Sequence, residues 1–360
     1  VFSAPLLLVA LAAAALPLTD LAREPRWALT FAVTLTTTAF LVAVLAFAQN
    51  HTRAAGIFWN NDGRMPGAFT GTFFHHTSFG AYLNPAWPLA AALAWLARRR
   101  HPILAALAAI ACFLLLASHT AHIGRFPQFT ALLIAPLFLL GLKPRLPSFR
   151  SPRVWLLAAA ALVALSLLVT VGGRTSSIGS RWRLLVHPVS IPLIQPVEAE
   201  WPALIRDDLV IVGTSHPGWF GDRVFGWRAA LSAIAERPLT GHGPANWMGA
   251  ASRHTDDPFV RTFYQFLQFT HQDPLQTAVE WGVPAALAFW TLLLGGLVSV
   301  VRLRIRPPLA LAAACALAAL LLQSQLDFPL QIPALVFHAV VLAALCHSAA
   351  SHRPPVSSAA

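Results

Sequence analysis

Several short segments of the 360-residue chain concentrate side chains that can hold an anion or move a proton. Asp222-Arg-Val-Phe-Gly-Trp-Arg carries Arg223 and, four residues on, Trp227. Arg237-Pro-Leu-Thr-Gly-His-Gly-Pro sets His242 between two glycines. His271-Gln-Asp-Pro-Leu-Gln-Thr-Ala-Val-Glu-Trp-Gly carries His271 and Glu280. Arg125 stands in Gly124-Arg-Phe-Pro, Asn84 before Pro85, and Asp327 in Asp327-Phe-Pro-Leu-Gln-Ile-Pro. A guanidinium stays charged at any working pH and forks onto phosphate oxygens, so Arg223 and Arg125 are candidate phosphate ligands. A neutral imidazole takes a proton near neutral pH, so His271 is a candidate general base. Glu280 and Asp327 are candidates for orienting these groups. Each has a plainer reading: a surface ion pair of Arg223 with Asp222 or Glu236, a snorkelling Arg125, an interfacial cap for His271, and structural pairing for the carboxylates.

Metal chemistry has weaker support. His75, His76, His119, His122 and His242 include a three-residue spacing that a helical zinc site uses, but no matching carboxylate or cysteine accompanies them. Asp207-Asp208 and Asp256-Asp257 lie in polar loop. Cys112, Cys315 and Cys346 fall in apolar runs without ligand spacing. No metal and no cofactor is assigned.

These residues have to be positioned by a chain that is 57% hydrophobic and 11% charged. A soluble domain has about 25% charged residues. Here the charges cluster between long apolar runs, the pattern of an all-α polytopic membrane bundle. Nine candidate spans are read, at about 1–18, 27–48, 79–97, 102–118, 127–142, 154–171, 274–301, 309–325 and 332–348. The third contains Asn84, Pro85 and Pro88 and is expected to kink. Alternate connectors are basic: Arg23 and Arg26; Arg98 to Arg100; Lys143, Arg145, Arg150 and Arg153; Arg302, Arg304 and Arg306. By the positive-inside rule these face the cytoplasm, and the connectors holding the candidate residues face the other side. The net charge of +11 is thereby assigned to topology and not to nucleic acid.

The organisation read is membrane helices over 1–171, one large periplasmic loop over 172–273 with short helices, membrane helices over 274–348 and a cytoplasmic tail over 349–360. Within the loop, Asp222–Glu236 is expected to be a helix, with Asp222 as N-cap and Pro238 and Gly241 stopping it. Pro258–Thr270 is a second, aromatic amphipathic candidate.

An Arg followed four residues later by Trp, a Pro-x-x-Gly-x-Gly turn and a His-x-x-x-Leu-x-x-x-x-Glu-x-Gly run resemble, in that order, the signature of the O-antigen ligase and O-antigen polymerase superfamily. The Asp327 segment resembles that family's penultimate loop. Where the family more often has Ser-Arg-Gly, this chain has Gly124-Arg-Phe. The resemblance covers about 63–347. It implies about twelve spans in all, three of them upstream of Val1, in agreement with the odd number that charge alone requires. It implies a multi-pass enzyme of the bacterial inner membrane. Such an enzyme moves a glycan from undecaprenyl pyrophosphate to lipid A-core, a growing glycan or protein, with inversion and without metal. His271, Arg223 and Arg125 would be catalytic, and Glu280, Trp227, His242, Asp327 and Asn84 would bind substrate or support them. A transporter or flippase is the reading of another class, with Glu280, Asp327 and Asn84 as ion or substrate contacts.

Overall fold

A computed structural model describes residues 3–60, 69–121, 124–142, 223–254, 269–303 and 306–351. All regular elements among the described residues are helical. They are α1 (Ser3–Ala22), α2 (Pro25–His51), α3 (His76–Leu83), α4 (Ala86–Ala97), α5 (Pro102–Ala121), α6 (Arg125–Leu142), α7 (Arg223–Glu236), α8 (Trp247–Ala251), α9 (Asp273–Trp281), α10 (Val283–Val301), α11 (Pro308–Gln323) and α12 (Pro333–Ser351). The predicted span at 154–171, the loop up to Asp222 and all but the last two residues of the aromatic helix candidate Pro258–Thr270 lie outside the described residues.

Among the described residues, four helices are long and apolar enough to cross a membrane: Pro25–His51, Pro102–Ala121, Val283–Val301 and Pro333–Ala350. Ala13–Ala22, Phe126–Leu142 and Pro308–Gln323 are shorter apolar helices. Leu104, Leu107 and Ile110 on α5 and Leu287, Leu292 and Leu294 on α10 are left outward and exposed, as lipid-facing positions are.

Two predicted spans are not single helices. The third breaks after Leu83, and α4 restarts at Ala86. Pro85 and Pro88 bring no N–H to the ladder, and the chain turns at Asn84-Pro85 as the kink reading expected. The span read at 274–301 is also broken, and this is a correction. It divides at Gly282 into a nine-residue α9 and the longer α10. Gly282 takes φ 80°, ψ 159°, a conformation open essentially to glycine alone.

The core is built around α11, which is buried along almost its whole length. It packs against α4, α6, α10 and α12. Seven of its sixteen residues are alanine, so neighbouring backbones approach closely, which matters because apolar burial does not drive helices together within lipid. At one end of the bundle a polar tie replaces apolar packing. Asn84, fully buried, donates from Nδ2 to Pro127 O at 3.1 Å and to Gln323 Oε1 at 3.2 Å. Gln323 donates onward to Thr77 O at 3.2 Å. The break between α3 and α4, the first turn of α6 and the end of α11 are thus fastened together.

Replacing Gln323 with Leu removes one of the two acceptors of the Asn84 amide and the side-chain donor to the Thr77 carbonyl. Removing one partner of a buried hydrogen bond costs about 1–3 kcal/mol, so Gln323→Leu should lower the melting temperature in detergent. A melting curve superimposable on wild type would show that the tie carries no stability.

Candidate functional site

The break at Gly282 is where the polar residues are assembled. The turn that follows α7, Pro238 to Gly243, lies backbone against backbone on residues 279–283. His242 N donates to Val279 O at 2.8 Å, Gly243 N to Glu280 O at 2.9 Å, and Val283 N to Pro238 O at 2.7 Å. Both glycines at this crossing are required by contact. A Cβ on Gly241, at φ 64°, would stand 2.5 Å from Glu280 O and from Gly282 N. One on Gly282 would stand 2.3 Å from Leu239 O.

Glu280 completes the seam. Its Oε2 accepts from Ala245 N at 2.9 Å, and its Oε1 accepts from Gln276 Nε2 at 3.0 Å. Sequence reading placed this carboxylate two turns inside a span, orienting a histidine or an arginine. It lies instead on the short α9, holding the chain that leads into α8. His242 is also committed to holding the turn. Its Nε2 lies 2.8 Å from Ala233 O, and its Nδ1 lies 2.8 Å from the Arg253 guanidinium. Nδ1 is therefore the acceptor and Nε2–H the donor, the neutral tautomer.

The clasp fixes α7 against α9, and each presents a candidate residue at its start. Arg223 is the first residue of α7 and is half-buried. Trp227 follows one turn on, also half-buried. His271 precedes α9 and has φ 53°, the left-handed region that a residue with a Cβ seldom occupies. The conformation is held by its neighbours. Thr270 N donates to Gln276 Oε1 at 3.0 Å, and Thr270 Oγ1 donates to Gln272 O at 2.6 Å.

A second seam joins α9 to the loop between α11 and α12. Asp273 is wholly buried. Its N donates to Ser324 O at 2.9 Å, while its carboxylate accepts from Leu330 N at 2.9 Å and Gln331 Nε2 at 3.0 Å. This seam sets Asp327 against His271, with Oδ1 3.5 Å from Nδ1. That is long for a hydrogen bond and within reach of an ion pair. Phe328 N also donates to Asp327 Oδ1, at 3.0 Å. The Phe328 ring packs on Phe269 at 4.3 Å between centroids, on His271 at 4.9 Å and on His75 at 5.8 Å.

Electrostatics tie the remaining groups together. Burial on its own pushes the Asp327 carboxyl up. The close contact and charge of His271 and the charges of Arg223 and His75 outweigh burial, and the carboxyl is held below its ordinary range. Asp273 goes the other way. Burial, with the Asp327 charge beside it, pushes it up to about 7 against the pull of its donors. One of the two neighbouring carboxyls is therefore ionised and the other is held close to neutrality.

Of the residues singled out from sequence, Arg223, His271 and Asp327 are brought to one place. Glu280, His242 and Asn84 hold the surrounding backbone. Arg125 opens α6, whose first turn Asn84 ties to the end of α11, four residues before Asp327; its side chain lies outside the described residues, as do Asp222, His122 and the two acidic pairs. Asp273 was not chosen from sequence, and His75 was weighed only among the histidines that could hold a metal. Asp273 sits inside the motif quoted for His271, at the first position of a helix followed by Pro274. That arrangement marks an N-terminus, and a carboxylate there needs donors.

The molecule is a helical membrane protein that gathers an arginine, a histidine and an ionised carboxylate at one end of its bundle. A family model described as O-antigen ligase matches residues 89–290, more than half of the chain, and the chain belongs to that family. Membership makes it a membrane glycan enzyme of the O-antigen ligase and polymerase type. A comparison with curated proteins finds no match.

The raised carboxyl of Asp273 has a consequence for stability. Its folded value of about 7 lies above the unfolded value of about 3.9. Its contribution is therefore fully present below about pH 4 and is lost as pH rises toward about 7. Asp273→Asn cannot ionise and should flatten the fall in melting temperature between about pH 5 and 7. An unchanged slope would remove Asp273 as the source.

Proposed function

We propose that the protein transfers a glycan from a polyprenyl pyrophosphate, undecaprenyl pyrophosphate in a bacterial inner membrane, to an acceptor hydroxyl, with inversion and without a metal ion. The observation that carries this reading is the contact of His271 with the Asp327 carboxyl, on which the charge of Arg223 also acts, in a chain of this family.

The chemistry follows from that geometry. Asp327 faces Nδ1 of His271, which favours the tautomer with the proton on Nδ1 and leaves Nε2 as the basic nitrogen. The acceptor hydroxyl gives its proton to Nε2 as its oxygen attacks the anomeric carbon. The bond from that carbon to the pyrophosphate oxygen breaks, and the electron pair leaves with the pyrophosphate. Arg223 neutralises the charge that grows there. Asp327, already ionised, then stabilises the imidazolium. Arg125, at the same end of the bundle by its backbone, is the candidate for the second phosphate.

The alternation of basic connectors puts this end of the bundle outside the cytoplasm, with 172–273 as the extracytoplasmic loop. Ligation to lipid A-core, polymerisation of repeat units and transfer to protein hydroxyls use the same chemistry. They differ in the acceptor.

The test is transfer from an undecaprenyl-pyrophosphate-linked oligosaccharide to candidate acceptors in proteoliposomes, with the product identified by mass. Arg223→Ala and His271→Ala should each lower transfer roughly 100-fold or more at unchanged membrane level, and a chelator should have no effect. Wild-type transfer by either variant would take that residue out of the mechanism. Strong inhibition by the chelator would point instead to the histidine or aspartate clusters.

A further inference from the structure

We infer that the turn after α7 is a membrane-surface anchor: Leu239 enters the edge of the bilayer's apolar layer and Arg237 pairs there with phospholipid phosphate. Such an anchor holds the unit of α7 and α9 at headgroup level. It goes beyond the transfer reading and does not depend on it.

The length of α10 fixes the level of the turn. Its nineteen residues, Val283–Val301, rise about 28 Å at 1.5 Å a residue, and the apolar layer of a bilayer is about 30 Å thick. The two ends of α10 therefore lie near the two edges of that layer. Arg302 and Arg306 follow the last turn, so Val283 stands at the edge away from the basic connector, in the outer leaflet. Val283 N donates to Pro238 O at 2.7 Å. The Leu239 carbonyl lies so close to Gly282 that a Cβ there would stand 2.3 Å from its oxygen. Leu239 is thus tied to the membrane edge from both sides of its own peptide. Trp281 and Phe289, edge to face at 5.4 Å between centroids, flank the same junction, and tryptophan is enriched where membrane meets water.

The side chains of the turn suit that level. Leu239 is 74% exposed, and Arg237, Pro238 and Thr240 beside it are exposed too. A leucine displayed at the tip of a turn is poorly placed in water and well placed in a lipid edge. Pro284 and Leu287, at the start of α10, are also exposed, so outward positions of the spanning helix begin at the residue after the clasp. Arg237 supplies the charge. Its Nε lies 4.0 Å from Glu236 Oε1, the outer limit of an ion pair. The other oxygen of Glu236 is 3.3 Å from His254 Nε2 and 3.9 Å from the Arg253 guanidinium. One carboxylate is shared by two guanidinium groups and an imidazole, and the surplus of positive charge suits a phosphate. Because the turn is bonded to residues 279–283, whatever fixes its depth also fixes α7 and α9.

The test is made on the full chain in lipid nanodiscs, with no donor present and a fluorophore attached at Leu239→Cys. The unsubstituted chain, whose Cys315 and Cys346 are buried and Cys112 half-buried, gives the labelling background. Phosphatidylcholine with a nitroxide high on its acyl chain should quench the label, and iodide in the water should not. Phosphatidylglycerol, whose phosphate is not offset by a choline, should quench more when it carries the same nitroxide. The excess should correspond to a local enrichment of up to about fivefold, the effect of one basic residue near the surface. Arg237→Gln should abolish that excess and leave the depth unchanged. Thr240→Cys, which keeps Leu239 in place, should report the same depth. Quenching by iodide at either position, or shielding from both quenchers as under a protein cover, at an unchanged melting temperature would overturn the anchor. A missing excess, or one that survives Arg237→Gln, would overturn the role of Arg237. Glycan transfer does not enter the measurement, so its outcome is separate from the roles of Arg223 and His271.

Discussion

Three backbone hydrogen bonds between the turn 238–243 and residues 279–283 decide where the rest of the site goes. A helix crossing lipid satisfies its own backbone, so a break in one exposes N–H and C=O groups that must find partners in protein. Here they find them in the turn after α7. Val283 N donates to Pro238 O, while Val279 O and Glu280 O accept from His242 and Gly243. The crossing is so close that neither strand of it has room for a side chain at Gly241 or Gly282. Net, a protein hydrogen bond contributes about 0.5–1.5 kcal/mol, so three together are worth a few kcal/mol. Their larger effect is geometric. They turn α7 and α9 into one rigid unit, and Arg223 and His271 stand at its edge.

The second seam is electrostatic. Asp273 and Asp327 are both buried, and two like charges so placed disfavour each other. The structure resolves this by unequal surroundings. Asp327 is met by His271, Arg223 and His75 and stays ionised; Asp273 meets mainly amide donors and drifts toward neutrality. The ionised member is the one beside the imidazole. The near-neutral one fastens the loop that delivers it. A carboxylate that is costly to bury is thus kept charged only beside the imidazole, where the proposed mechanism uses that charge.

Much of this was legible in the residues. Long apolar runs marked the helices, the Pro-Leu-Thr-Gly-His-Gly turn marked the stop of α7, and Asn84-Pro85 marked a break in the third span. The break at Gly282 was missed because Leu275, Ala278, Val279 and Trp281 raise the hydropathy of the segment enough to merge it with α10. The signal was present at another period. Asp273, Gln276, Thr277 and Glu280 recur at three- and four-residue spacing and form one buried polar face. In a continuous span that face would sink into the bilayer, at about 2.5–3.5 kcal/mol for an acidic residue at the centre. Turned aside at a glycine, it meets the donors of Ala245, Leu330 and Gln331. Charge within a hydrophobic run reads equally as function or as structural pairing for Glu280; its Gln276 partner is displayed by the spacing, whereas the main-chain amide of Ala245 is displayed by no sequence pattern. His75 was illegible for a related reason, since only the tertiary packing of Phe328 brings α3 to the loop after α11.

The distribution of labour among the polar residues follows from what each could tolerate. The Glu280 carboxylate, both ring nitrogens of His242, the Gln323 amide and the Asn84 amide nitrogen are engaged with neighbouring protein groups, and moving any of them to a substrate would leave a buried group unpaired. Arg223 and His271 are only half-buried, and both act on a single ionised carboxylate. A site with that imbalance is poorly matched to a neutral ligand or to a cation. It is well matched to a ligand whose negative charge increases as it reacts, because the stabilisation then grows along the reaction coordinate and is greatest at the transition state. The clasp and the tie hold the backbone still, so that these three groups are already in place when that charge appears.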